Sequence, residues 1–566
     1  MDIRRTILWM IFSFSLLLLW SNWQEYNGKP SLFASGSASQ NTEVSANGTP
    51  TASNNDTPAA DGSIPSGVAT ASSAPSELPA STPASSESEI IQIETDVYRL
   101  SFDTIGAQLV KAELLNYASP TDRSESMVLL DQSPDSVYVA QSGVVGAPAG
   151  QSFPTHLTPF ALVSSERSLT GDTLDVVFEA TSGDVRVIKT YRLSRGSYDI
   201  QVRHDIHNLS GDTISPSVYF QLTRDGNNPP DSSRLYRTFT GPVVYSEQDK
   251  FQKISFSDIE KNKASYTRQA DNGWIGMAQH YFATAWVPKQ GVSRNNEILR
   301  VNDNLYAART IEAVGLIGAG EHQVIDANLW VGPQDQKAMS EVAKGLDLVV
   351  DYGWFTILSK PLYIILSWLH GLIGNWGWAI VVVTLLIKLV FFPLSAASYR
   401  SMAKMKQVTP RMQALREKFG DDKAKLNAAM MEMYRTEKIN PLGGCLPMLV
   451  QIPVFIALYW VLLGSVEMRG APWILWVQDL SARDPWFILP ALMMLTMFLQ
   501  IKLNPTPPDP MQARIMMLMP IVFGGMMFFF PAGLVLYWVV NNALSIAQQQ
   551  YITSKLNREA AAKAIG

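Results

Sequence analysis

The chain has 566 residues and a single cysteine, Cys445. One thiol excludes a disulfide framework and any cysteine-built zinc or iron–sulfur site. Charge is scarce as well: Asp, Glu, Lys and Arg make up 17%, below the ~25% of an ordinary soluble protein. With 47% apolar residues and a net charge of −5, this excludes a wholly disordered chain, a coiled-coil rod and a globally basic nucleic-acid binder. Six histidines and the carboxylates leave other metals formally open. No Walker-type phosphate loop, GxSxG or HExxH occurs, and nothing points to nucleophilic or acid–base catalysis. No internal repeat suggests an inverted-repeat transporter.

The averages hide unlike segments. Residues 351–566 carry 19 Lys/Arg against 11 Asp/Glu, and 17 of the 22 methionines. Residues 24–350 carry 24 basic against 38 acidic residues, a net of −14. Residues 6–24 carry no charge and hold the apolar run Ile7 to Trp20. As a helix they span about 28 Å, the thickness of a bilayer core. Residues 1–24 therefore read as a transmembrane anchor, with a cleaved signal peptide as the competing reading. In either case Arg4 and Arg5 hold the start of the chain in the cytoplasm, and the chain beyond the apolar run is exported. Residues 25–88, rich in Ser, Ala and Pro, bury too little apolar surface to fold and read as a disordered linker.

Residues 89–345 show a period of two. Val185, Val187, Tyr191 and Leu193 alternate with polar residues. After the turn Ser194-Arg195-Gly196, the residues Tyr198, Ile200, Val202 and Ile206 do the same. Val97–Phe102, Val176–Phe178, Tyr281–Val287 and Ala327–Val331 are further strand-like runs. Half-buried strands with frequent turn residues predict an antiparallel β-sandwich. His204 and His207 are the only close histidine pair there, and on a strand they point to opposite faces. The expectation is therefore no metal site.

The pattern changes after Asp351. Residues 346–373, interrupted by Lys360, Pro361 and His370, read as an amphipathic interfacial element. Five spans are expected, at 374–394, 443–464, 486–503, 511–530 and 532–552, with Pro531-Ala532-Gly533 as the turn between the last two. Residues 395–442 hold ten basic residues against five acidic, and the tail 553–566 holds three against one. Positive loops belong inside. The resulting topology is six spans, a large outer domain and both termini in the cytoplasm. Met405, Val408, Met412, Leu415 and Phe419, then Leu426, Met430, Met433 and Tyr434, recur at helical spacing. They predict a cytoplasmic hairpin of two antiparallel helices, with Gly420-Asp421-Asp422 as turn and N-cap.

Lys388 is the notable residue of the first core span, because an ionisable group within a span is a functional candidate. It lies about six residues, or ~9 Å, from the cytoplasmic end, so snorkelling is the competing reading. Thr384 shares its face. Gln451 lies in mid-span, and Asn541, Asn542 and Gln548 to Gln550 line the last helix. Together they fit a polar groove open to the cytoplasm, though interhelical hydrogen bonding alone also accounts for the amides. Met493, Met494, Met497, Met516, Met517, Met519, Met526 and Met527 crowd two spans, as suits a surface accepting many apolar shapes, or plain apolar filling.

Several stretches carry a resemblance in chain order: Ser401-Met-Ala-Lys-Met, Asn440-Pro-Leu-Gly-Gly-Cys, Gln451-Ile-Pro-Val-Phe-Ile-Ala-Leu-Tyr, Asp509-Pro-Met-Gln and Pro531-Ala-Gly-Leu-Val-Leu-Tyr. With Tyr281-Phe-Ala-Thr-Ala-Trp, Leu329-Trp-Val-Gly-Pro and Asp351-Tyr-Gly-Trp, they resemble the YidC/Oxa/Alb membrane protein insertases, in the Gram-negative form. The resemblance implies a non-enzymatic inner-membrane insertase without cofactor, whose outer domain is a periplasmic β-supersandwich. It implies a cytoplasm-open groove of Lys388, Thr384, Gln451, Asn541, Asn542, Tyr537 and Trp538. Lys388 stands where the family usually carries arginine, which keeps the charge and loses the bidentate fork. The implied partners are nascent integral membrane proteins, Sec translocon components, ribosome or signal-recognition components, and membrane lipids, with no nucleic-acid specificity. Arg400, Lys404, Lys406, Arg411, Arg416, Lys423 and Lys425 are the candidate cytoplasmic docking residues. A polytopic secondary transporter with a periplasmic substrate-binding domain is the rival reading.

Overall fold

The computed structural model describes residues 88–120, 122–229, 238–419, 422–437, 446–504 and 510–565. The expected anchor and linker, Gly420, Asp421 and the stretch 438–445 with Cys445 lie outside these residues. The chain divides at Val350 and Asp351 into two compact units.

The first unit is an antiparallel β-sandwich of two nine-stranded sheets. One sheet runs, in spatial order, Ile90–Glu94, Tyr98–Asp103, Gln108–Ala118, Ser126–Ser133, Ser136–Val145, Ser217–Asp225, Leu305–Ala313, Arg294–Asn302 and Gln269–Ala270. The other runs Lys250–Lys253, Gly241–Ser246, Trp274–Gln279, Phe282–Pro288, His322–Pro333, Asp199–Asn208, Val185–Ser194, Thr173–Ser182 and Ala161–Leu162. Alternation sets the faces: Val185, Val187, Tyr191 and Leu193 are buried, as are Ile200, Val202 and Ile206. The expected turn is present, with Gly196 at φ 68, a conformation that costs glycine little. Its N–H donates to Asp96 Oδ2 at 2.8 Å.

Aromatic residues join the sheets. Phe102 packs at 5.7 Å from Phe178 and 4.8 Å from Tyr191. Trp286 Nε1 donates to Gln221 O at 3.0 Å, and the Tyr98 hydroxyl donates to Val331 O. The core also takes polar groups, several of them hydrogen-bonded to one another or to the main chain. Gln108, Gln141, Gln221 and Thr223 form one hydrogen-bonded cluster. Lys189 is fully buried and donates to Gly106 O at 2.6 Å and Ser142 O at 2.8 Å.

The second unit is helical: α1 (Thr356–Ile373), α2 (Trp376–Val390), α3 (Phe392–Phe419), α4 (Lys423–Thr436), α5 (Leu446–Gly464), α6 (Ile488–Leu503), α7 (Pro510–Met527) and α8 (Ala532–Ile565). Local chemistry sets the starts. Asn375 caps α2 through Trp378 N, and Asp422 caps α4 through Ala424 N and Lys425 N. Buried Asp484 accepts from Trp486 N and Leu489 N at the head of α6.

Several boundaries differ from those expected. The first core helix ends at Val390, not Leu394, and α3 leaves it at 66°. Pro393 explains the break: it has no N–H, and its ring excludes the carbonyl four residues back. The turn before the last helix is Phe528–Pro531; Ala532 and Gly533 already belong to α8. Their N–H groups donate to Ala482 O and Leu480 O, which ties the helix start to the preceding loop. The expected separate tail 553–566 instead continues α8 to Ile565. Leu346–Val349 is only a short turn, and α1 begins at Thr356.

By length and apolarity, α1 is the one described helix able to cross a membrane alone, and α2 with the start of α3 forms a bent pair. The apolar segments Val450–Gly464, Ile488–Leu503 and Ala513–Met527 are shorter. In α1 the stripe Ser359, Leu362, Leu366 and Leu369 is buried. Ile357, Ile364, Trp368 and Leu372 are exposed on the remaining surface.

Candidate functional site: a polar cluster among apolar helices

In the helical unit, α8 packs against α2, α6, α3 and α5. Its inner face carries Tyr537, Asn541, Asn542, Ser545 and Gln549, all buried. The spacing of three and four residues puts them on one stripe. Because the neighbouring helices are apolar, each polar group there needs a partner across the interface.

Lys388 of α2 is 7% exposed and donates to Ser545 Oγ at 2.7 Å. Ser545 Oγ in turn donates to Asn541 O, one turn earlier, at 2.7 Å. The Asn541 side-chain oxygen accepts from Gln451 Nε2 of α5. Asn542 Nδ2 lies 3.3 Å from Thr496 Oγ1 of α6. Gln549 Nε2 donates to Asn504 Oδ1 at 3.0 Å, and Gln548 Nε2 lies 3.4 Å from Lys388 O. The cluster thus links α2, α5, α6 and α8 through side chains. The carbonyl oxygens of Gln548 and Gln549 are buried without a hydrogen-bond partner. The cluster therefore keeps unused capacity to accept hydrogen bonds.

The sequence-based set comes together in part. Gln451 bonds the Asn541 side chain, and Ser545 links Lys388 to the Asn541 main-chain carbonyl. Asn542 reaches Thr496 instead. Thr384 is buried, but its hydroxyl donates back to Ile380 O at 2.6 Å, within its own helix. Tyr537 is buried and Trp538 half-buried, and both pack on Phe455 of α5, at 6.3 and 4.8 Å. They form an aromatic wall beside the polar cluster.

Ser545 and Thr496 belong to the cluster without standing out in the sequence. A small hydroxyl in an apolar helix leaves no compositional signal. The i, i+4 spacing from Asn541 to Ser545 is the available clue.

The methionines divide. Met493 and Met527 are buried, whereas Met517, Met519 and Met526 are exposed. A methyl group on Gly524 would approach Met494 Cγ to 2.0 Å, so this glycine sets how closely α6 and α7 pack.

In the α3–α4 pair, Val408 and Met412 form a small core with Met405, Met433 and Tyr434. Arg400, Lys404, Arg411 and Lys425 are exposed around it. Arg411 pairs with Glu437 at 2.6 Å, and Lys425 with Asp422 at 3.2 Å. The side chains of Lys406, Arg416 and Lys423 lie outside the described residues.

The comparisons with known proteins point one way. Residues 90–365 match the YidC periplasmic domain family, and residues 368–559 match the 60Kd inner membrane protein family. A membrane protein insertase YidC of Bordetella parapertussis is 68% identical over 568 residues, covering 100% of both chains. One of Paraburkholderia phymatum is 49% identical over 569 residues, covering 99% of each. A solved structure, an active YidC insertase crystal structure with the first transmembrane domain resolved, aligns with 82% of this chain and 92% of its own. Its identity is 18% and its TM-score 0.40.

Proposed function

Since the chain belongs to the membrane protein insertase YidC family, we propose that it inserts membrane proteins through the cluster built on Lys388. The protein is a non-enzymatic insertase of the inner membrane, with its β-sandwich in the periplasm. The secondary-transporter reading finds no support among its relatives.

The observation that carries the proposal is the Lys388–Ser545 bond, with the Gln548 side chain, whose amide oxygen is unused, reaching Lys388 O. A buried ammonium held by a hydroxyl can exchange that partner for a substrate carboxylate without leaving an uncompensated charge. Lys388, Gln451, Asn541 and Asn542, with Thr384, Tyr537 and Trp538 as walls, then form a groove open to the cytoplasm. A polar segment of a nascent chain enters it, so the thickness of hydrocarbon it must cross is reduced. The exposed methionines of α7 offer an adaptable surface to the apolar segment as it moves into lipid. The drive is hydrophobic partitioning, aided by the membrane potential for acidic segments moving outward.

Six spans frame this groove, the anchor and five core helices, with both termini in the cytoplasm. Lys360, Trp368 and His370 suit an interfacial position for α1. The α3–α4 hairpin lies in the cytoplasm, where its basic residues and those at the end of α8 attract ribosome, signal-recognition components or nascent chain. The Sec translocon and membrane lipids are the remaining partners.

Reconstitution in liposomes tests the reading. Insertion of a short single-span protein without solute uptake supports it. Solute uptake without insertion contradicts it.

A further inference from the structure

A second cluster lies on the sandwich. Asp205 and His207 stand two residues apart on Asp199–Asn208 and project from the same face. His322, the first residue of the neighbouring strand His322–Pro333, is the direct cross-strand partner of His207. One ligand atom from each of the three lies within 4.8 Å of the others.

Two details of geometry point to a cation. His207 Nε2 and Asp205 Oδ1 are 3.2 Å apart. Yet both atoms are buried and neither makes a hydrogen bond. In a tetrahedral site with metal–ligand bonds of ~2.0–2.1 Å, neighbouring ligand atoms sit roughly 3.3 Å apart. The 3.2 Å between Asp205 and His207 is close to that edge, and the His322 ligand atom lies within 4.8 Å of both. The rings of His207 and His322 meet at 70° with centroids 4.9 Å apart, so they do not lie stacked face to face.

The charges facing the cluster allow a cation. Arg186 is the cross-strand neighbour of His207 on its other side. Its Nη1 lies 3.8 Å from Glu179 Oε1, so its charge is partly met there. Arg203 is paired with Asp326 at 2.8 Å. The His204–His207 spacing gives no hint of the site because His204 faces the other way, where its Nε2 lies 2.8 Å from Ser142 Oγ. The additional ligand comes from a strand distant in sequence.

We infer that Asp205, His207 and His322 form a zinc-class divalent metal site on the periplasmic domain. Two imidazoles and one carboxylate leave the fourth position to water. Bound there, the ion ties two adjacent strands together and stabilises the folded domain, since the unfolded chain does not hold the three ligands in place.

Tag-free full-length protein in nanodiscs, dialysed against micromolar zinc, tests the site. The expected result is one zinc per chain, with affinity reduced at least about tenfold in His207→Ala, His322→Ala and Asp205→Asn. Zinc also raises the thermal midpoint of the wild-type periplasmic domain and leaves that of His322→Ala unmoved. His322 is exposed, so its variant keeps the fold, and circular dichroism checks this. Equal binding by all four proteins, or none by the wild type, overturns the inference. Copper binding with the same variant pattern and no zinc binding overturns the zinc assignment.

Discussion

Among the described residues two lysines are buried, one in each unit, and they are held in different ways. Lys189, in the sandwich, donates to two backbone carbonyls, and its ammonium lies 4.9 Å from the centre of the Phe160 ring. No acidic partner offsets the loss of water, and burial pushes its pKa down to about 7. Lys388, among the apolar helices, is held by the hydroxyl of Ser545. Backbone carbonyls fixed in a sandwich cannot be replaced by a substrate, but a serine hydroxyl can. Burial of a charge is therefore not enough to mark a working site. On the proposed reading, the nature of its partner separates a lysine built into the fold from one placed for exchange.

The widest test of this contrast removes whole segments. Deleting 396–440 should abolish insertion, whereas deleting most of 89–330 should leave most of it. Complementation of insertase-depleted cells measures both, and the reverse order would move the activity to the periplasmic domain.

Within the helices, Gln451→Leu breaks the bond to Asn541. Insertion should slow about threefold, matching the ~0.6 kcal/mol typical of an interhelical bond in a membrane. An unchanged rate in a proteoliposome assay would remove Gln451 from the groove.

In the sandwich, Lys189 predicts a pH dependence. Its folded pKa, about 7, lies below the unfolded value near 10.5. Between these values the unfolded chain binds the extra proton, so stability rises with pH from about 7 upward, by at most ~1.4 kcal/mol per unit. Lys189→Met should remove this rise and leave insertion unchanged. Thermal unfolding of the periplasmic domain at pH 7 and 9 reads the first effect, and a variant that still showed the rise would contradict it. Arg203→Ala breaks an exposed pair with Asp326, 2.8 Å long, and should change stability by less than ~0.5 kcal/mol in the same unfolding measurement.

Much of this is legible in the sequence. The alternation of Val185, Val187, Tyr191 and Leu193 gives the sandwich its faces. The spacing of Met405, Val408 and Met412 against Met433 and Tyr434 gives the core of the helix pair. Lys388, Gln451 and Asn541 stand out because polar groups are costly among apolar helices. Lys189 occupies an inward position of its strand, but a lysine on an alternating strand reads as solvent-facing. Ser545 and Thr496 stay hidden because hydroxyls are common in apolar helices. The bend at Phe391 is foreshadowed by Pro393. The Asp205, His207 and His322 cluster depends on strand order, which local spacing does not encode.

The central claim is that Lys388 receives the acidic part of a substrate. Two versions of one short single-span protein, with and without two aspartates in the translocated segment, test it in proteoliposomes. Lys388→Ala should slow insertion of the acidic version about tenfold, or ~1.4 kcal/mol, and leave the neutral one near the wild-type rate. Insertion of both versions at wild-type rates would contradict the account.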